Sequence, residues 1–161
     1  MIVKRLMTIG ALALLWSTGA CAQQADPSQD PDWSLRQSTA LNNLKVTDGW
    51  QTAAGGVRWR RIKGDGTGKH PTVADTVTLH YAGTLTTGLE FDSSYKRGEP
   101  ATFPLSDLIE GWQIAVPLMG VGDVFEIAVP AEVGYGPITR GEIPGGATLF
   151  FKIELIGFEG A

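Results

Sequence analysis

An α+β fold, one antiparallel sheet of about five or six strands wrapped around a single short amphipathic helix, is predicted by two patterns in this chain. From Val57 onward, apolar and polar residues alternate in one short run after another, the period-two signature of half-buried strands. Among those runs lies one helical stretch. Leu108, Ile109, Trp112, Ala115 and Val116 fall at i, i+1, i+4, i+7 and i+8 and make one continuous apolar face. A lone amphipathic helix beside several strands has to be buried by the sheet itself.

The elements follow in order. Lys4 and Arg5, the apolar run Leu6 to Trp16, and small residues from Ser17 to Ala22 have the layout of a bacterial export signal over residues 1–22. The apolar run is shorter than the roughly 20 residues that span a bilayer. Residues 23–32 are polar and acidic with Pro27 and Pro31, which reads as a flexible tether. Over Trp33 to Lys45, Leu35, Leu41 and Leu44 share a helical face, giving a short arm, so that 23–49 is tether and arm and 50–161 the main domain. Val57, Trp59 and Ile62 precede the Gly64-Asp65-Gly66 turn. Val77, Leu79 and Tyr81 alternate with Thr76, Thr78 and His80, and Thr86-Thr87-Gly88 turns the chain into Leu89-Glu90-Phe91. Ser106 is placed to cap the helix, with Asp107 and Glu110 in its first turns, and Pro117 stops it. Val124–Val129 is apolar enough for a central strand, and Leu149, Phe151, Ile153 and Leu155 alternate with Phe150, Lys152, Glu154 and Ile156.

Charge and chemistry narrow the function. Without Lys4 and Arg5 the chain carries 11 basic against 17 acidic residues, a net charge of −6. That argues against nucleic-acid binding, and Arg58, Arg60 and Arg61 read as a solvated strand face. Two histidines, and no cysteine after Cys21, exclude a zinc site in the domain. Ser93 and Ser94 have no adjacent base for nucleophilic catalysis. What remains is a set of aromatic and apolar residues from separate segments with few ionisable groups, suited to binding a small apolar group away from water.

Cys21 fits two readings. Ala20-Cys21-Ala22 has small residues where an ordinary signal peptidase cuts, and cleavage before Gln23 discards the cysteine. Thr18-Gly19-Ala20-Cys21 resembles a lipoprotein box, and Cys21 then becomes the lipidated first residue, the only membrane attachment expected. In the absence of a long helix or heptads the expected state is a monomer.

Five segments in order, "VTLHYAGTL", "FDSSYKRGEPATF", "LIEGWQIAVPLMGVGD", "VGYG" and "IPGGATLFFKIEL", carry a specific resemblance. Residues 57–159 resemble an FKBP-type peptidyl-prolyl cis-trans isomerase domain. With the export signal, the chain is similar to the secreted bacterial branch that includes the macrophage infectivity potentiators, without their long dimerising helix. The resemblance implies Trp112 as pocket floor, Tyr81, Phe91 and Phe151 as aromatic walls, and the Ile109 N–H as donor to a substrate carbonyl. It implies Asp92 at the pocket edge, bonded to neighbours such as Tyr81 and Arg97, and Tyr135 offering its hydroxyl from a long loop. Arg97, Phe103, Leu108 and Ile143 are the implied substrate-binding residues. Ala101 stands where many relatives carry an aromatic residue, and Glu142 where many carry an aliphatic one. The implied activity is prolyl isomerisation without cofactor or metal, in the periplasm, on proline-containing unfolded or nascent envelope proteins. Macrolide inhibitors of the tacrolimus and rapamycin type are implied ligands. A non-catalytic holdase chaperone using the same groove is the alternative.

Overall fold

The computed structural model describes residues 26–160; the export signal and Cys21 lie outside the described residues. The secondary structure comprises α1 (Trp33–Asn42), β1 (Gln51–Thr52), β2 (Arg58–Lys63), β3 (Thr76–Leu85), β4 (Glu90–Ser93), α2 (Ser94–Arg97), β5 (Ala101–Pro104), α3 (Glu110–Ala115), β6 (Val124–Val129) and β7 (Leu149–Glu159), with short 3-10 turns between them. The sheet has seven strands in the order β1-β2-β6-β7-β3-β4, with β5 also on β3, and every pairing is antiparallel. It is an α+β fold, as expected. The count exceeds the expected five or six through short strands such as β1, whose two residues are too few to show alternation.

Strand alternation builds the core. Along β3, Val77, Leu79, Tyr81 and Leu85 are buried, and along β7 so are Leu149, Phe151, Ile153 and Leu155. Register places Tyr81 opposite Ile153, and Gly83 opposite Phe151. Strand β6 is interior, between β2 and β7, and its residues are buried on both faces apart from Glu126. Burying each large side chain such as Phe125 or Ile127 contributes about 1.5–3 kcal/mol relative to leaving it in water. On β2 two of the three arginines are ion-paired instead of solvated, while Arg58 donates to the Thr52 hydroxyl. Arg60 meets Glu126 at 2.6 Å and lies over the Trp50 ring, and Arg61 meets the buried Asp123 at 3.1 Å. Their register opposite Glu126 and Phe125 on β6 explains this, because partners one strand away are invisible to a sequence window.

Two helices differ from expectation. Helix α3 is shorter and starts later than the sequence pattern implies. Ser106 sits in a 3-10 turn, Leu105–Asp107, and the N-cap is Ile109, with no side-chain cap bond. Leu108 and Ile109 are extended, at ψ 167° and 146°. The Gln113 amide donates to the carbonyls of Ser106 (3.0 Å) and Leu108 (2.7 Å), which stabilises this irregular entry. Pro117 falls in the 3-10 turn that ends the helix. Helix α1 docks mainly through other residues than the expected leucines, of which Leu41 and Leu44 are half-buried and Leu35 is exposed. Leu35 is 65% exposed, while Trp33 and Gln37, one turn apart, are the buried residues.

Close approach of α3 to the sheet rests on Gly111. A Cβ there would lie 2.4 Å from Cγ1 of Val129 on β6. Gly111→Ala is expected to lower stability by about 1–3 kcal/mol through overpacking, with part recovered in the Gly111→Ala/Val129→Ala double variant. Urea denaturation midpoints check this, and an unchanged midpoint for the single variant contradicts it.

Candidate functional site

Strands β3, β4, β5 and β7 and helix α3 converge on one cavity of about 290 Å³, lined by Tyr81, Phe91, Asp92, Phe103, Asp107, Leu108, Ile109, Trp112, Tyr135 and Phe151. The aromatic rings meet edge to face. Trp112 lies 5.2 Å from Phe151 and 5.3 Å from Tyr81, and Phe91 lies 5.7 Å from Phe151, with interplanar angles of 81–89°. This geometry suits the ring quadrupoles and adds stability beyond area burial. Trp112, Tyr81 and Phe151 are nearly inaccessible, whereas Phe91, Phe103, Leu108, Ile109 and Tyr135 are partly buried, so the floor is rigid and the walls reachable. The wall depends on Gly83, where a Cβ would lie 2.6 Å from the Phe91 ring and 2.8 Å from that of Phe151.

One edge is polar. The Tyr81 hydroxyl donates to Asp92 Oδ2, and the Arg97 guanidinium donates to Asp92 Oδ1 and, at 2.9 Å, to the Tyr81 oxygen. Strand β4 delivers Asp92. Helix α2, capped by Ser93 accepting from the Lys96 N–H at 3.3 Å, turns Arg97 back towards it. Burial raises the Asp92 pKa, but the hydrogen bonds from Tyr81 and Arg97 outweigh it and leave the carboxyl below its ordinary 3.8. Burial, then the bond to Asp92, pushes the Tyr81 hydroxyl above its ordinary 10.0. Its bonds to Tyr81 and Asp92 raise Arg97 further. At neutral pH the edge is therefore carboxylate, neutral phenol and guanidinium.

Beside the cavity a second cleft is lined by Phe91, Asp92, Tyr135, Arg140, Glu142 and Ile143. Among the described residues, no group of three or more His, Cys, Asp or Glu is placed to hold a metal.

The sequence profile of the FKBP-type peptidyl-prolyl cis-trans isomerase domain matches residues 67–156. The chain belongs to this family. The FKBP-type isomerase FkpA of Aeromonas hydrophila is 44% identical over 112 residues, covering 70% of this chain and 41% of that protein. Mip of Coxiella burnetii is 45% identical over 117 residues, covering 72% and 50%. The crystal structure of FkpA from Escherichia coli superposes with a TM-score of 0.71 at 31% identity, covering 80% of this chain and 62% of that one. A peptidyl-prolyl isomerase from Pseudomonas syringae gives 0.73 at 29% identity, covering 81% and 97%. The chain spans about half the length of the curated relatives it matches.

Within this FKBP domain, Tyr81, Phe91, Asp92, Phe103, Leu108, Ile109, Trp112, Tyr135 and Phe151 come together around the cavity. Ile143 lies in the adjoining cleft, and Arg97 stands behind Asp92 rather than in the lining. Ala101 is not among the lining residues; Phe103, two residues on along β5, is. Glu142 lies at the mouth beside Arg140. Asp107 lines the cavity and was not singled out by the sequence pattern, which assigned it only to the helix start. Gly83 was missed too. A glycine within an otherwise alternating strand was the available signal.

The depressed Asp92 pKa gives a signed expectation. The interaction acts in full above the ordinary carboxylate value and is lost as pH falls through the lower folded value. The stability gap between the unaltered chain and Asp92→Asn should therefore be constant between about pH 5 and 8 and shrink below about pH 4. Denaturation midpoints across pH measure it; a gap that stays constant into strong acid contradicts the assignment.

Proposed function

We propose that this protein is a peptidyl-prolyl cis-trans isomerase acting on proline-containing, unfolded or nascent chains. The observation that carries the reading is the aromatic cage over Trp112, bordered by the Tyr81–Asp92–Arg97 cluster, inside a domain of this family. An Xaa-Pro bond rotates slowly because the amide must give up resonance, with a barrier of about 18–20 kcal/mol. No covalent bond to the protein is needed. The prolyl ring enters between Tyr81, Phe91 and Phe151 above the Trp112 ring, and the apolar walls remove water from the amide. Ile109, extended at the N-cap of α3, offers its N–H to the carbonyl that precedes the bond under rotation. Tyr135 contributes its hydroxyl from the loop. A twisted amide has a more localised carbonyl and a less conjugated nitrogen than either planar isomer. A pocket fitted to it lowers the barrier by preferring the transition state, about tenfold for each 1.4 kcal/mol. The ion-paired edge keeps the wall in place: Asp92 holds the Tyr81 hydroxyl, so the ring cannot swing out of the cage.

The wider setting belongs to the same proposal. The N-terminal pattern supports export to the periplasm, with Cys21 as the residue that decides between a lipid anchor and a soluble form. The name of a relative from Legionella longbeachae, "Outer membrane protein MIP", agrees with an envelope role. The protein works as a monomer and needs neither cofactor nor metal. Tacrolimus- and rapamycin-type macrolides are candidate inhibitors because they would occupy the same cage.

The unaltered chain should accelerate cis-to-trans conversion in Xaa-Pro tetrapeptides without added metal or nucleotide. Trp112→Ala or Phe91→Ala should lower kcat/KM by about tenfold or more, while circular dichroism shows the fold retained. No activity above the uncatalysed rate on several such peptides refutes the proposal. An Asp92→Ala or Tyr135→Ala variant should lose activity on these peptides. If it still suppresses aggregation of a proline-free client as well as the unaltered chain does, the holdase reading gains independent support. Mass spectrometry of the mature N-terminus decides the anchor: a free Gln23 start in the soluble envelope fraction excludes lipidation at Cys21.

A further inference from the structure

The N-terminal arm is bonded to the loop that frames the pocket. Trp33 is 5% exposed, and its indole N–H donates to the Gly145 carbonyl at 2.8 Å. Gln37 is 4% exposed and spends its whole amide on the domain. Its Oε1 accepts from the Thr148 N–H at 3.0 Å, and its Nε2 donates to Thr86 Oγ1 at 3.1 Å. Its backbone carbonyl also accepts from the Thr148 hydroxyl at 3.4 Å. Upstream, Asp26 Oδ2 accepts from the Thr139 hydroxyl at 2.6 Å, and Thr139 Oγ1 in turn accepts from the Gly145 N–H at 3.0 Å. The Gly145 peptide is thus held on both sides, once by the arm directly and once through Thr139.

Between these ties runs the segment that carries Arg140, Glu142 and Ile143 to the pocket mouth, and Tyr135, which enters the cavity, lies just before it and is joined to it by the Gly146 N–H to the Gly136 carbonyl. The segment's own bracing is local: Gly136 N–H to Ala131 at 2.8 Å, Gly146 N–H to Gly136 at 2.9 Å, Ala147 N–H to Pro144 at 3.2 Å and the Arg140–Ile143 pair all stay within residues 131–147 and do not tie it to a strand. Apolar contact from the arm is partial, with Leu41 and Leu44 half-buried and Leu35 65% exposed. The buried positions are a tryptophan and a glutamine, both with their polar atoms aimed at this one loop or its neighbouring turn. Hydrogen bonds are directional, and buried ones are costly to leave unmade, so they fix position where apolar contact alone would let the loop slide.

We propose that Trp33 and Gln37 are positioning residues of the isomerase site, holding residues 139–148 so that Tyr135 and Ile143 stand over the pocket. The inference rests on the isomerase reading. Misplacing groups that orient a substrate lowers rate without any contact to the reacting bond being removed.

The full chain carries the test. Gln37→Ala should lower kcat/KM on an Xaa-Pro tetrapeptide about fivefold, and Trp33→Phe, which keeps the ring and loses the donor, should lower it in the same direction. Gln37→Glu retains the acceptor for the Thr148 N–H and can accept from the Thr86 hydroxyl, so it should restore activity to within about twofold of the unaltered chain. Amide exchange at Thr148 and Gly146 should quicken in Gln37→Ala and recover in Gln37→Glu. Arg60→Ala breaks an ion pair on β2, away from the cavity lining, and should leave kcat/KM unchanged. Full activity in Gln37→Ala, loss of activity without faster exchange in the loop, or an equal loss in Arg60→Ala would overturn the inference while the isomerase reading stands. An unaltered chain with no activity overturns both and is told apart by that result alone.

Discussion

How near helix α3 can come to the sheet governs everything around it. Trp112 can floor a cavity only if its helix lies almost against β6, and at Gly111 there is no room for even a methyl group beside Val129. On β3, Gly83 clears space for the edges of Phe91 and Phe151. With these two small residues the rings of Tyr81, Trp112 and Phe151 meet at right angles and close the cage from below. Interiors pack as densely as organic crystals, so a side chain added at either place must displace a wall of the pocket.

The polar edge solves a different problem. An apolar cage open to solvent on one side needs something to fix the ring at its edge, and Tyr81 is tied through its hydroxyl to Asp92, itself tied to Arg97. The Asp92–Arg97 pair is about half exposed, with side-chain accessibilities of 43% and 45%, so its stabilising effect is modest and screened by salt. Its value lies in geometry. Arg97 also lies over the Tyr81 ring, at 5.4 Å from its centroid, and fixes the ring from a second direction.

Loop and arm extend the same logic outward. The floor of the site stands on strands and a helix, whereas its cover comes from an irregular segment whose own backbone bonds stay within the segment. Irregular segments are held by what they contact, and here the contact is a helix more than a hundred residues earlier in the chain. The domain of this family is thus joined by a piece of chain outside the profile match, which starts at residue 67.

By itself the sequence determined the longer strands, the amphipathic helix α3 and the aromatic inventory of the site, because alternation and helical periodicity are local and Tyr81, Trp112 and Phe151 sit on elements whose buried face is written every second or fourth residue; β1, β5 and α2 were not legible there. The order of separated segments was also enough to place the chain near its family. Tertiary structure alone decided the start of α3, where Gln113 binds the carbonyls of Ser106 and Leu108 and leaves Leu108 and Ile109 extended. It alone brought Arg60 and Arg61 to Glu126 and Asp123, placed Asp107 in the cavity, and replaced Leu35 with Trp33 and Gln37 as the docking face of α1. Each of these depends on a partner far away in sequence. A periodic pattern shows that a residue will be buried or paired, but only the closed fold supplies the particular atom that it meets.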